Sequence, residues 1–163
     1  MSAHYLLIPT GARETFVPVE FGWVRVLTGG DATVYATHAT PALLIHGGGS
    51  DNAAISWYRL FGPCGERRRV IVPDLPGFGY TKDVAPSENA AGMADHLAAL
   101  LDALGVDRVI VCGVSMGGEV AIQLALRHPA RCTALIAIAP GGLIDVYKNP
   151  LAHTLAWLAT HST

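Results

Sequence analysis

An α/β fold, with a mostly parallel sheet covered by helices on both faces, is the class this 163-residue sequence predicts. Three features predict it. Short continuous apolar runs at 42–45, 69–73, 108–112 and 133–139 are what strands buried on both faces require. Segments of helical periodicity separate several of them, and Gly or Pro closes most junctions.

In chain order, 16–19 and 23–27, split by Phe21-Gly22, predict a β-hairpin, with the turn Thr28-Gly29-Gly30-Asp31 after it. The strand 42–45 follows, then a short helix over 56–61 and a strand ending at Asp74. The loop Leu75-Pro76-Gly77-Phe78-Gly79 breaks regular structure. Over 89–104, Met93, Leu97, Leu100, Leu101 and Leu104 share one helical face, with Ser87 as N-cap and Gly105 as the stop. A strand at 108–112 turns at once into a helix over 116–127, apolar on nearly all sides and so expected to be buried, which His128-Pro129 ends. The last strand, 133–139, closes at Pro140-Gly141-Gly142. Residues 1–148 read as part of one core domain, and 149–163 as the start of a cap-like helical segment.

Composition excludes several classes. With 11 Lys and Arg against 13 Asp and Glu there is no basic footprint for nucleic acid, and Arg67-Arg68-Arg69 reads as a solvated loop. Mean hydropathy is high, at +0.37, yet every apolar run is interrupted well before the ~18 residues a spanning helix needs, so no membrane association is expected. The N-terminus MSAHYLLIPTGARE lacks a basic region and an apolar core of signal-peptide length, which makes the cytoplasm the expected compartment. Cys112 and Cys132 read as small core residues, and with neither CxxC nor HExxH present no metal or other cofactor is expected. Nor is there a GxxxxGK[ST] or GxGxxG that would turn His46-Gly47-Gly48-Gly49 into a nucleotide cradle.

Chemistry concentrates at Gly113-Val114-Ser115-Met116-Gly117-Gly118, a G-x-S-x-G between a strand and a helix. A sharp turn there lifts the Ser115 hydroxyl into a strained, exposed position, and glycine at 113 and 117 leaves room for neighbouring backbone. The Met116 N–H then points to where an oxyanion would form, at the positive end of a helix. The glycine turn 46–49, after another strand, offers a second such N–H, that of Gly48.

HGGGSD at 46–51, PDLPGFG at 73–79 and GVSMGG at 113–118 together resemble the α/β-hydrolase fold, over about residues 14–148. Within it the chain looks most like the capped hydrolases that include esterases and meta-cleavage carbon–carbon hydrolases. The resemblance implies Ser115 as nucleophile and Gly48 and Met116 as oxyanion hole, and serine rather than aspartate at 115 points to acyl chemistry on a small-molecule substrate. Val114 stands where the carbon–carbon hydrolases commonly have Asn, which favours ester-type hydrolysis.

That fold resembles eight strands carrying nucleophile, acid and histidine in that order, and this chain offers candidates for six. It is therefore expected to be truncated, with acid and base not identifiable. Asp145, His153 and His161 are secondary candidates, His46 is expected to hold its loop, Asp74 to belong to a structural turn, and His128 to end a helix. A last strand with an open edge invites pairing, so the expected partner is a second copy or a complementary C-terminal chain; a catalytically inactive remnant is the alternative.

Overall fold

Arg13–Val19 (β1) and Gly22–Gly29 (β2) form the antiparallel hairpin, in a computed structural model that describes residues 7–20, 22–30, 39–84, 87 and 89–143. Asp145, His153, His161 and the segment 149–163 lie outside the described residues. Strand β2 runs through the expected turn at Thr28-Gly29, because Gly29 still pairs with Val70. Glycine is needed there for close approach: a Cβ would lie 2.5 Å from Cε1 of Phe61.

Ala42–Ile45 (β3), Val70–Pro73 (β4), Val109–Val114 (β5) and Cys132–Ile138 (β6) complete one sheet of order β1-β2-β4-β3-β5-β6. β3 pairs parallel with β4 and β5, and β5 with β6, whereas β2 meets β4 antiparallel. Successive strand side chains point to opposite faces, so the strands feed two core layers. Leu43, Ile45, Ile71, Val109 and Val111 pack against Ala90–Ala103 (α3) and Met116–Arg127 (α4). Ala42, Leu44, Val70, Val72 and Cys112 pack on the other face against Ala53–Trp57 (α1) and Phe61–Gly65 (α2). Helices thus cover both faces, as the continuous apolar runs require.

Three expectations need correction. The single helix over 56–61 is two. Asn52 starts α1 early by accepting the N–H groups of Ala54 and Ile55, and the chain restarts at Phe61 so that Pro63 falls in a first turn, where its missing N–H costs nothing. The N-cap of α3 is Asn89, whose Oδ1 accepts the Gly92 N–H at 2.9 Å, in place of Ser87. Helix α4 buries one face through Val120, Ala121 and Leu124, while Leu126 on the opposite face is 69% exposed.

Cys112 is buried, Cys64 and Cys132 half-buried, and all three are unpaired; burial raises the thiol pKa of Cys112 and Cys132. Among the described residues no helix is long and apolar enough to cross a membrane. On β6, residues 133–138 are exposed, and Leu135, Ile136 and Ile138 present apolar surface there. Beside it, a cavity of about 330 Å³ opens between Leu44, Ile110, Ile136 and Ile138 on the sheet and Trp57 and Leu60 above them.

Candidate active site

Ser115 stands between β5 and α4 with φ 54° and ψ −121°, a conformation that L-residues rarely adopt, and its side chain is exposed and caps nothing. The surroundings hold it there. Its N–H donates to Ile138 O at 3.0 Å, and its carbonyl accepts from Gly118, Glu119 and Gly141 at 2.9–3.2 Å. Ala139, at φ 41°, is a second strained residue in the same junction. The flanking glycines are obligatory for contact reasons: a Cβ on Gly113 would meet Gly117 O, and one on Gly117 would lie 2.2 Å from His46 O. The structure therefore packs the serine turn directly onto the end of β3.

That contact brings the second glycine motif alongside. A Cβ on Gly47 would sit 3.7 Å from Ser115 Cβ, and one on Gly48 would lie 3.4 Å from Met116 Sδ. Gly48, one of the two sequence-predicted donor residues, thus lies against the side chain of the other, Met116, next to the serine. Neither backbone N–H donates to another described residue. Met116 is the first residue of α4, where N–H groups have no partner within the helix and the dipole is positive.

Asp51 and His46 hold this loop from two sides. Asp51 Oδ2 accepts the Gly47 N–H at 3.0 Å and the Ser56 hydroxyl at 2.5 Å. His46 is fully buried; its Nε2 accepts the Leu75 N–H at 3.0 Å, which leaves Nδ1–H to donate to Gly47 O at 2.7 Å. Burial lowers its pKa, so the neutral ring is the favoured form. Because the peptide unit is planar, fixing the Gly47 carbonyl also fixes the direction of the Gly48 N–H. With both ring nitrogens engaged, His46 holds the loop, as expected.

Asp74 belongs to the structural turn. Its carboxylate accepts from Ala53 N at 2.8 Å, Tyr80 N at 2.8 Å and Arg25 Nη1 at 3.1 Å, and it is fully buried. The positive φ of Gly79 and the Asp74 carboxylate packed on its Cα leave no room for a side chain at 79. His128 bonds Asp95 at 2.7 Å, together with Arg127, at the far end of α4. A twelve-residue helix is ~18 Å long, which puts His128 well away from Ser115. His96 adjoins that same Asp95, and its ring meets Ser87 Oγ at 3.3 Å. Among the described residues, then, the histidines have other tasks than serving Ser115 as base.

Arg25 escaped sequence reasoning. It is 1% exposed, in a strand otherwise apolar over 23–27, and a lone charge in such a run was the available signal.

Comparison with known proteins supplies the family. The sequence model described as alpha/beta hydrolase fold matches residues 41–160. A 2-hydroxymuconate semialdehyde hydrolase from a Pseudomonas species is 38% identical over 105 residues, covering 63% of this chain and 37% of the relative. A 2-hydroxy-6-oxo-2,4-heptadienoate hydrolase from Pseudomonas putida is 34% identical over 134 residues, covering 79% of this chain and 48% of the relative. Among solved structures, a membrane phospholipase A, described as a bacterial virulence factor, superposes with a TM-score of 0.76 at 32% identity, over 90% of this chain and 46% of that one. The chain spans less than half the length of these relatives. With the family model matched over most of its length, and with the sheet order and serine turn described above, the chain belongs to the α/β-hydrolase fold family.

Proposed function

We propose that this chain carries the nucleophile and the oxyanion-binding half of a serine hydrolase acting on small-molecule acyl, ester-type substrates. The observation that carries the reading is the strained, exposed Ser115 with the glycine turn at Gly47 and Gly48 packed against it and Met116. In the step proposed, Ser115 Oγ bonds to the substrate carbonyl carbon as its proton passes to a base. The carbonyl oxygen becomes an oxyanion held by the two N–H groups, and its collapse expels the leaving alcohol. The base and its acid partner are assigned to residues outside the described ones. Carbon–carbon bond hydrolysis, the chemistry of the meta-cleavage hydrolases that the sequence also resembles, needs the same nucleophile; Val114 weighs for the ester reading.

The exposed β6 and the apolar cavity beside it support a second element of the proposal: this surface takes a complementary C-terminal polypeptide or a second copy of the chain. Paired with a complementary C-terminal polypeptide, the assembly would gain acid and base; a chain without them would be an inactive remnant. A cytoplasmic location, consistent with three unpaired cysteines, completes the reading.

Labelling by a fluorophosphonate probe, compared with Ser115→Ala, tests the chemistry whatever the natural substrate. Labelling that the substitution abolishes supports an activated serine. A folded chain that never labels, alone or with a complementing C-terminal polypeptide, refutes it.

A further inference from the structure

Arg25 Nε donates to Glu14 Oε1 at 2.5 Å and Nη1 to Asp74 Oδ2 at 3.1 Å, while the guanidinium lies 5.0 Å from the Tyr80 ring centroid. Among the described residues its Nη2 is buried without a hydrogen-bond partner. Burying an ion pair and leaving one donor unused is a poor device for stability alone, since apolar side chains of similar volume often serve as well. The pair calls for another explanation, and its surroundings supply one.

Two routes lead from the Asp74 that Arg25 holds to the same peptide. Along the backbone, Asp74 is followed by Leu75, whose N–H donates to His46 Nε2, and His46 Nδ1–H holds the Gly47 carbonyl. Across space, Asp74 Oδ1 accepts the N–H of Ala53, the first residue of α1. The segment leading into that helix carries Asp51, and the helix carries Ser56, and both contact the Gly47 N–H. Independently of the side chain, the backbone N–H of residue 25 donates to Thr81 Oγ1 at 3.1 Å, and that hydroxyl donates to Asp74 O at 2.6 Å, so this part of the turn stays tied in any Arg25 variant.

We propose that Arg25 is a positioning residue: through Asp74 it sets the orientation of the Gly47–Gly48 peptide and so the direction of the Gly48 N–H. The catalytic consequence rests on the oxyanion reading given above. The hold on the loop does not, because it consists of hydrogen bonds that exist whether or not Ser115 reacts. Lysine cannot replace this arginine, since one ammonium does not reach Glu14 and Asp74 with the fixed fork of a guanidinium.

The test uses the whole chain, with Arg25→Lys as the principal variant, Arg25→Met as the harsher one, and Leu101→Ala as a control that loosens the core on the opposite face. Amide hydrogen exchange at Gly47 and Leu75 is measured relative to the amides of α3, along with the ¹⁵N signature of the His46 tautomer. For Arg25→Lys we expect exchange at these two amides to rise tenfold or more relative to α3, and the Nδ1–H form of His46 to give way to a mixture. In Leu101→Ala the α3 amides rise at least as much. The fluorophosphonate inactivation rate constant should fall tenfold or more in Arg25→Lys at an unchanged probe affinity, and stay at the wild-type value in the control.

Unchanged exchange and tautomer in both Arg25 variants would overturn the proposal. So would a loosened loop with wild-type inactivation, which would reduce Arg25 to a structural part. If the wild-type chain labels neither alone nor with the complementing C-terminal polypeptide, the serine-hydrolase reading fails, and the exchange and tautomer data alone decide for or against Arg25.

Discussion

Replacing Ser115 by glycine should stabilise this protein, against the usual trend for introducing glycine. A non-glycine residue held at φ 54° and ψ −121° costs of order 1–3 kcal/mol. Glycine adopts that conformation freely but gives back about 0.4–1 kcal/mol through the greater freedom of the unfolded chain. The hydroxyl makes no capping hydrogen bond and the side chain is exposed, so little else is lost. The balance is a gain of roughly 0.5–2 kcal/mol, and at ~2–4 °C per kcal/mol for a chain of this size the melting temperature should rise by a few degrees.

Ser115→Ala is the control, because it removes the hydroxyl and keeps the Cβ. It should fall within about 0.5 kcal/mol of wild type. Urea unfolding of the three proteins, compared at equal m-values, gives the answer directly. If glycine proves no more stable than alanine, the turn is not strained and the claim that the fold forces Ser115 outward is wrong.

Gly117→Ala should cost more than ~3 kcal/mol or prevent folding, because its Cβ would meet His46 O at 2.2 Å; Gly49→Ala, with open space but φ 73°, should cost only ~1–2 kcal/mol, both read by urea denaturation. Acid titration should show a contribution from Asp95, whose pKa the Arg127 and His128 hydrogen bonds lower from 3.8 to about 2. A depressed carboxylate adds stability above its unfolded pKa and loses it as pH falls toward the folded one, so the loss belongs between about pH 4 and pH 2. With both side chains nearly half exposed the pair is worth only ~0.2–1 kcal/mol, and Asp95→Asn should flatten that part of the curve. On the proposal that β6 pairs with a second copy, Ile136→Lys should lower self-association measured by light scattering while leaving monomer unfolding unchanged.

What was legible in the sequence was what is local. The apolar runs located all six strands, and the glycines around Ser115 marked a turn whose need for them arises within a few residues. Helix α4 starts and stops where its punctuation says, at Met116 and Arg127. The errors are also physical. Ser87 and Asn89 are both competent caps, and only the geometry entering α3 selects Asn89. The break between α1 and α2 turns on Pro63, whose effect depends on where the preceding helix began. The Arg25–Asp74 pair joins residues 49 apart, one on β2 and the other just past the end of the neighbouring β4, and no short-range pattern encodes such a match.

The two donor loops are held by different means. The Met116 N–H is aimed by a rigid element, the first turn of α4, whose entry is braced by the β6 end through Ile138 and Gly141. The Gly48 N–H lies in a glycine loop with no such element, and its direction depends on a buried set of polar bonds through His46, Asp51 and Asp74. Perturbations should therefore separate them. Changes at the end of β6 should disturb the serine turn first, and changes at Arg25 or Asp74 the glycine loop first. On the proposed oxyanion reading, the two should then combine more than additively at the site, since one oxyanion would need both donors at once.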